Sequence, residues 1–290
     1  MGEMINMEYY KLNNNIEIPA LGIGTFLLKP DEAENSVKAA LEIGYRLVDT
    51  ASMYRNEKAV GKALKESNID REDIFVSTKL WPTEYEDENA VQHSLDKLGL
   101  DYIDLLFLHQ PAGDYMKGFE QLEKAYDEGL IKSIGLSNFD GKFLNDILST
   151  FDTLPQVVQA ETHPYYPETD LRKTLDKNDI KLMSWYPLGH GDSGLINEDV
   201  FKELGEKYGK SPVQIILRWH IDMGFIVIPG SKNVQHIKDN FDIFDFRLSK
   251  SDMEAISKIN RNERFFHPTE EKLKKFATVM PADSEEEILC

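Results

Sequence analysis

Eight short apolar runs, most of them closed by a polar or aromatic residue and each followed by a stretch of helical periodicity, constrain this chain more than anything else in it. The runs end near Thr25, Asp49, Lys79, His109, Asn138, Glu161, Trp185 and Pro229. Between them apolar residues recur at helical spacing, as in Ala33, Val37, Ala40 and Leu41 or in Phe119, Leu122 and Ala125. Gly44, Gly99, Gly129 and Gly224 stand just before a following strand, where glycine ends a helix in the left-handed conformation at little cost. Alternation of this kind implies parallel strands joined by helical crossovers. Eight units point to a closed (β/α)8 barrel of the TIM type, because an open sheet needs edge strands and no run carries Pro or Lys at its centre to mark one. A doubly wound dinucleotide fold is disfavoured as well: Gly22-Ile23-Gly24 lacks the third glycine of the phosphate-binding fingerprint.

The 290 residues suit one barrel with decoration. The barrel is expected over about 20–260. Before it, over about 7–19, two β-prone runs flank Asn13-Asn14-Asn15, which predicts a hairpin because Asn tolerates the backbone of tight turns. The longest interval, Trp185 to Pro229, needs extra loop or helix, and Ser211-Pro212 reads as an N-cap and first-turn pair. Extra C-terminal helices and a tail are expected beyond the barrel repeat; from about Arg261 the periodicity weakens, and Pro268, Pro281 and the acidic stretch 283–287 argue for an irregular tail over 261–290, either laid across the barrel where it can touch substrate or a partly mobile terminus.

With 41% hydrophobic and 29% charged residues the chain can fill a core and keep a polar surface. The net charge of −18 repels nucleic acid and anionic membranes. It does not exclude an anionic cofactor, since local N–H groups and a few cations outweigh a field screened beyond ~10 Å. Cys290 is the sole cysteine, so neither an intrachain disulfide nor a Cys-based metal site is expected, and no metal is called for. Met1 to Asn6 lacks a basic segment followed by a long apolar core, and no run approaches the ~20 residues that span a bilayer. The expectation is a cytoplasmic protein.

The chemistry lies at the ends of three consecutive runs, where Asp49, Lys79 and His109 are delivered to one rim, the rim on which barrel enzymes build their active sites. Tyr54 follows Asp49 on the same loop. Singly each has a plainer role: Asp49 as a helix cap, His109 as a hydrogen-bonded core residue, Lys79 as half an ion pair, Tyr54 as a loop aromatic. Together they explain one another. A phenol of pKa about 10 is a poor acid at neutral pH unless a cation stabilises its anion, which Lys79 can do. A lysine in an apolar mouth in turn needs a carboxylate, which Asp49 supplies. His109 adds a group able to orient a carbonyl oxygen or share its protonation. With no enzyme nucleophile in view, protonation of oxygen requires hydride on carbon, hence a nicotinamide cofactor.

Pro19–Thr25, Asp49–Glu57, Ser77–Trp81, Leu105–His109, Gly135–Phe139, Gln159–Pro164 and Ile228–Ser231 occur in the order found in the aldo-keto reductases, which the chain resembles over almost its whole length. The likeness is to members of the bacterial 2,5-diketo-D-gluconate reductase and aldehyde reductase type. It implies a monomeric enzyme that reduces small-molecule aldehydes and ketones with NADPH, or with NADH. By the same resemblance Tyr54 is the general acid, Asp49 and Lys79 tune it, and His109 polarises the carbonyl. Thr25 and Asp49 match ribose contacts; Ser137, Asn138 and Gln159 match the groups on the nicotinamide amide; Trp185 matches the aromatic that stacks on the ring, and Tyr186 beside it is a further cofactor contact. Leu188 lies in the pyrophosphate loop, Ser231, Lys232 and His236 surround the adenosine phosphate, and Asn240 matches the adenine contact. Phe26, Trp81, His109 and Gln110 fall on the substrate side.

Departures from the family pattern sharpen the expectation. Gly230 stands where relatives usually carry Lys and His236 where they often carry Arg, which should weaken selection of NADPH over NADH unless Lys232 substitutes. Phe26 and Gln110 replace tryptophans of many mammalian members, and Val158 replaces an asparagine, so the pocket should be more open and suit small aldehydes, dicarbonyls or keto-sugars. Two other readings compete. One is a Schiff-base barrel enzyme using Lys79 as nucleophile; the other is a nucleotide-sensing or interaction protein that keeps the pocket without turnover.

Overall fold

The structure is a computed structural model describing residues 7–281. Met1–Asn6, the acidic stretch 283–287 and Cys290 lie outside the described residues. Strands β1 (Tyr9–Lys11) and β2 (Glu17–Pro19) pair antiparallel, and Asn15 takes the left-handed position of the connecting turn at φ 70°. Between and within these strands, Leu12 and Ile18 pack with Leu47, Phe75, Leu105, Val157 and Ile226. Those five begin later strands, so the hairpin plugs the N-terminal end of the barrel and leaves the other end open for chemistry.

Eight parallel strands follow: β3 (Ile23–Gly24), β4 (Leu47–Asp49), β5 (Phe75–Leu80), β6 (Leu105–Leu108), β7 (Ile134–Ser137), β8 (Val157–Glu161), β9 (Lys181–Trp185) and β10 (Ile226–Val227). Each pairs with its successor. The ring then closes, with Leu21 bridging to Val227 and Gly24 to Gly230 in parallel, and Gly22 N–H donating to the Val227 carbonyl at 2.9 Å. Every strand ends within two residues of the expected position. The glycines that failed the dinucleotide fingerprint have a steric role at this seam. A Cβ on Gly22 would lie 2.5 Å from Leu47 Cγ, and one on Gly24 would lie 2.8 Å from the Ile228 carbonyl oxygen.

The crossover helices follow their apolar spacing. Pro30–Ile43 buries Ala33, Val37, Ala40 and Leu41, opens with Pro at its first turn and ends at Gly44. Tyr115–Asp127 buries Phe119, Leu122 and Ala125, and Asp114 caps it by accepting from the Lys117 N–H. The long interval before β10 holds helices Ser193–Ile196, Asp199–Tyr208 and Pro212–Asp222, the last capped by Ser211 as expected.

The tail is not irregular throughout: in keeping with the expected extra C-terminal helices, it forms the helix Glu270–Phe276, with Thr269 accepting from the Lys272 N–H at its start. Glu270 and Glu271 in the first turn and Lys274 and Lys275 in the last complement the helix dipole. Phe276 is buried against Trp81, which fixes the helix over the barrel mouth. Pro268, which argued against helix from the sequence, lies just before the N-cap and so does not interrupt it. Among the described residues no helix is long and apolar enough to cross a membrane.

Candidate active site

At the C-terminal end of the strands, parallel register brings Asp49 beside Ser77 and Lys79 beside Phe107. Lys79 Nζ lies 2.5 Å from Asp49 Oδ2 and donates to the Thr50 carbonyl at 2.9 Å. The other carboxylate oxygen accepts from Ser77 Oγ at 2.8 Å and from Gln159 Nε2 at 3.3 Å. Both charges are buried, and a buried ion pair is tolerable only when its remaining lone pairs and protons are bonded in this way.

Tyr54 sits on the short turn Ser52–Tyr54 directly after β4. That turn is held from two sides by residues outside the expected set. Asn56 accepts from Thr50 Oγ1 at 2.7 Å and donates to the carbonyls of Thr25 and Leu28 at 2.9 and 3.0 Å, tying the loops after β3 and β4 together. Glu84 Oε2 accepts from Ser52 Oγ at 2.5 Å and from the Trp81 N–H at 2.7 Å. The position of Asn56 inside the Asp49–Glu57 motif was the available signal; Glu84 carried none.

Lys79 Nζ lies 5.0 Å from the Tyr54 ring centroid, and His109 meets that ring edge-on at 5.6 Å. Burial pushes the Tyr54 phenol well above its ordinary pKa, and the Asp49 charge and Tyr186 push the same way. The expected acidifying effect of Lys79 does not dominate, because its ammonium is neutralised at contact distance by Asp49. Burial likewise lowers the Lys79 pKa, against the opposing pull of Asp49. His109 is driven well below its ordinary value by burial and by Lys79, so its ring is neutral at pH 7. The site therefore holds a protonated phenol and a neutral imidazole. Among the described residues His109 Nδ1 and Gln110 Oε1 are buried without a hydrogen-bond partner.

These groups open onto a cavity of about 370 Å³. Of the anticipated residues, Phe26, Asp49, Tyr54, Trp81, His109, Gln110, Ser137, Asn138, Gln159, Trp185, Tyr186, Leu188 and Ser231 line it. Trp185 Nε1 donates to Asn138 Oδ1 at 2.9 Å, and Asn138 Nδ2 donates to Ser137 Oγ at 3.3 Å, so one wall combines an indole with amide and hydroxyl groups. That wall fits a nicotinamide, whose carboxamide needs such partners and whose ring needs an aromatic face. Thr25 and Lys79 stand behind the wall: Thr25 donates to the Asp49 carbonyl at 3.0 Å. Lys232, His236 and Asn240 lie away from the cavity lining, Lys232 in an ion pair with Glu32 at 2.9 Å. Phe266 and Phe276 of the tail also line the cavity.

Residues 20–261 match the model of the aldo/keto reductase family. The methylglyoxal reductase of Escherichia coli (strain K12) is 38% identical over 265 residues, covering 90% of this chain and 96% of its own. The glyoxal reductase of Bacillus subtilis (strain 168) is 40% identical, covering 88% and 93%. Among solved structures, an aldo-keto reductase enzyme from a Medee basin deep-sea metagenome library superposes with a TM-score of 0.87 at 41% identity, over 90% of this chain and 97% of that one. A Bombyx mori aldo-keto reductase in complex with NADP gives a TM-score of 0.85 at 34% identity, over 91% and 96%.

Proposed function

Because the chain belongs to the aldo/keto reductase family, and so to the NAD(P)H-dependent oxidoreductases, we propose that it reduces small aldehydes and dicarbonyls with NADPH, Tyr54 delivering the proton. The observation that carries this reading is the convergence in one cavity of a protonated phenol, a neutral imidazole and a buried Asp49–Lys79 pair, facing a wall of Ser137, Asn138, Gln159 and Trp185. When bound, the nicotinamide supplies hydride to the carbonyl carbon. His109 donates a hydrogen bond that fixes the carbonyl oxygen beside the Tyr54 hydroxyl, and Tyr54 releases its proton to that oxygen as negative charge develops there. The phenolate left behind is attracted by the Lys79 ammonium, 5.0 Å from the ring centroid, and repelled by the Asp49 carboxylate, so Lys79 limits the cost of the buried anion. Asn56 and Glu84 keep the Tyr54 turn in place while this happens.

The relatives named methylglyoxal and glyoxal reductases suggest compact dicarbonyls as substrates. A panel of glyoxal, methylglyoxal, phenylglyoxal and simple aldehydes, assayed with NADPH and NADH in parallel, tests class, cofactor and substrate size together. Loss of reduced-nicotinamide absorbance on adding a dicarbonyl is the expected result. Cofactor binding without oxidation across the panel would replace this reading by the nucleotide-sensing one. Against the Schiff-base reading, Lys79 Nζ is buried, bonded to Asp49 and the Thr50 carbonyl, and is not among the residues that line the cavity.

A further inference from the structure

Glu161, the last residue of β8, is a second buried carboxylate at the reactive end of the barrel, and the proposed chemistry does not use it. Burying a carboxylate is costly unless its oxygens are bonded, and this one is bonded mostly to the tail. Oε1 accepts from the Phe265 N–H at 2.6 Å and lies 2.9 Å from His163 Nε2, while Oε2 accepts from the Phe266 N–H at 2.8 Å. The His163 ring, itself buried, packs on Phe265 at 5.0 Å. Phe266 in turn meets Trp185 edge-on at 5.4 Å and forms part of the cavity wall. A second tie, Trp81 Nε1 donating to the Val279 carbonyl at 2.9 Å, holds the tail beyond its helix.

We infer that Glu161 is a positioning residue for substrate selection: by holding the backbone of Phe265 and Phe266 to the barrel it sets the aromatic wall against which the larger part of a carbonyl substrate rests. The inference rests on the reductase reading above. Its physical logic is that the tail comes from outside the barrel repeat, so strand pairing cannot place Phe266. Two charge-assisted bonds from one rigid strand end do so instead.

The test uses the full-length protein and compares wild type, Glu161→Gln, Phe266→Ala and the double variant. Gln keeps one acceptor and turns an N–H2 group toward the other tail amide, so one tether is lost. In Glu161→Gln, amide hydrogen exchange at Phe265 and Phe266 should accelerate by roughly tenfold or more, the scale of one bond to a charged acceptor. KM for phenylglyoxal should rise roughly five- to tenfold with kcat nearly unchanged, while KM for methylglyoxal and the dissociation constant for NADPH stay within about twofold. Phe266→Ala should shift the same substrate ratio, and the double variant should add nothing further.

An unchanged substrate ratio in either single variant, equal loss of kcat for both substrates in Glu161→Gln, or additive effects in the double variant would overturn the inference. If Glu161→Gln does not fold, Phe266→Ala still decides the ratio. Exchange in wild type also decides it, because Phe265 and Phe266 amides that exchange as fast as open chain are not tethered. Absence of turnover by wild type would count against the reductase reading alone and leave the exchange measurement interpretable.

Discussion

The Asp49–Lys79 pair and the Lys232–Glu32 pair have similar N–O separations, 2.5 and 2.9 Å, but opposite surroundings. The first is at most 2% exposed on either side; the second leaves 69% of the lysine side chain and 26% of the glutamate side chain in water. At the catalytic end each charge has several fixed partners, so geometry is over-determined and a single change leaves an uncompensated charge in a dry site. At the end expected to meet the adenosine phosphate, the pair is screened and mobile side chains can exchange partners. The contrast teaches that this scaffold holds the Asp49–Lys79 pair by burial and the Lys232–Glu32 pair at an exposed surface, where substitutions cost little; on the proposed function, the second is where cofactor discrimination would be adjusted.

The sharpest way to break the comparison is at the catalytic end. Tyr54→Phe should lower kcat for carbonyl reduction by at least ~10², the usual contribution of a placed acid, with cofactor affinity nearly unchanged. Steady-state kinetics beside a cofactor titration check it, and retention of most of kcat would remove Tyr54 from its role. Lys79→Met should destabilise the fold by about 3–5 kcal/mol, because it strands the Asp49 carboxylate with only the Ser77 hydroxyl and the Gln159 amide. Chemical denaturation of Lys79→Met against the Asp49→Asn/Lys79→Met double variant tests the cause: the double variant should recover part of the loss.

Much of this contrast was legible in the sequence, and for a physical reason. Strand-length apolar runs ending in Asp49, Lys79 and His109 register the barrel and its rim at once, because parallel pairing fixes which strand ends are neighbours. Glu161 and Glu84 were not assigned. Apart from His163 beside Glu161, their partners are backbone amides and a serine hydroxyl, groups that every sequence offers everywhere. Extra C-terminal helices were expected, but the seating of the tail helix over the mouth was hidden, because it comes from Phe276 packing on Trp81, a contact between residues far apart in the chain. The direction of the Tyr54 pKa was hidden as well. Sequence places Lys79 near the phenol with Asp49 as its partner, whereas the burial of the phenol, the main cause of the upward shift, is set by packing that only the structure shows.

Burial also has a measurable pH signature. Glu57, beside this site, accepts from Thr78 Oγ1 at 2.7 Å and is held by burial at a pKa of about 7 rather than 4.5. Below the unfolded-state value both states keep the proton and no penalty arises; as pH rises from there through 7 the unfolded state ionises more readily, so stability is lost. Glu57→Gln should therefore gain stability as pH rises, by up to roughly 3 kcal/mol at pH 8 and much less at pH 5. His220 works in the opposite sense. Burial lowers its pKa from 6.5 to about 4, so its contribution is intact above 6.5 and is lost as pH falls toward 4. Thermal denaturation of wild type, Glu57→Gln and His220→Gln from pH 4 to 8 checks both signs, and a Glu57→Gln gain independent of pH would show that Glu57 is not the titrating group.

The smallest effect is expected where the comparison is most open to engineering. Gly230→Lys would add a cation near the expected phosphate position, but a Cβ there would lie 3.0 Å from the Gly24 carbonyl oxygen across the barrel seam, so that change perturbs closure as well as charge. Glu32→Gln is the cleaner probe. Glu32 holds Lys232 and also caps the helix Pro30–Ile43 through the Lys29 N–H, a bond that Gln can still accept. Releasing Lys232 and removing one negative charge should tighten NADPH binding roughly two- to fivefold and leave NADH almost unchanged, the difference shrinking as salt is added. Lys232→Ala should weaken NADPH alone and abolish the effect of Glu32→Gln in the double variant. Equal changes for both cofactors, or a Glu32→Gln effect that survives removal of Lys232, would show that this pair does not face the adenosine phosphate.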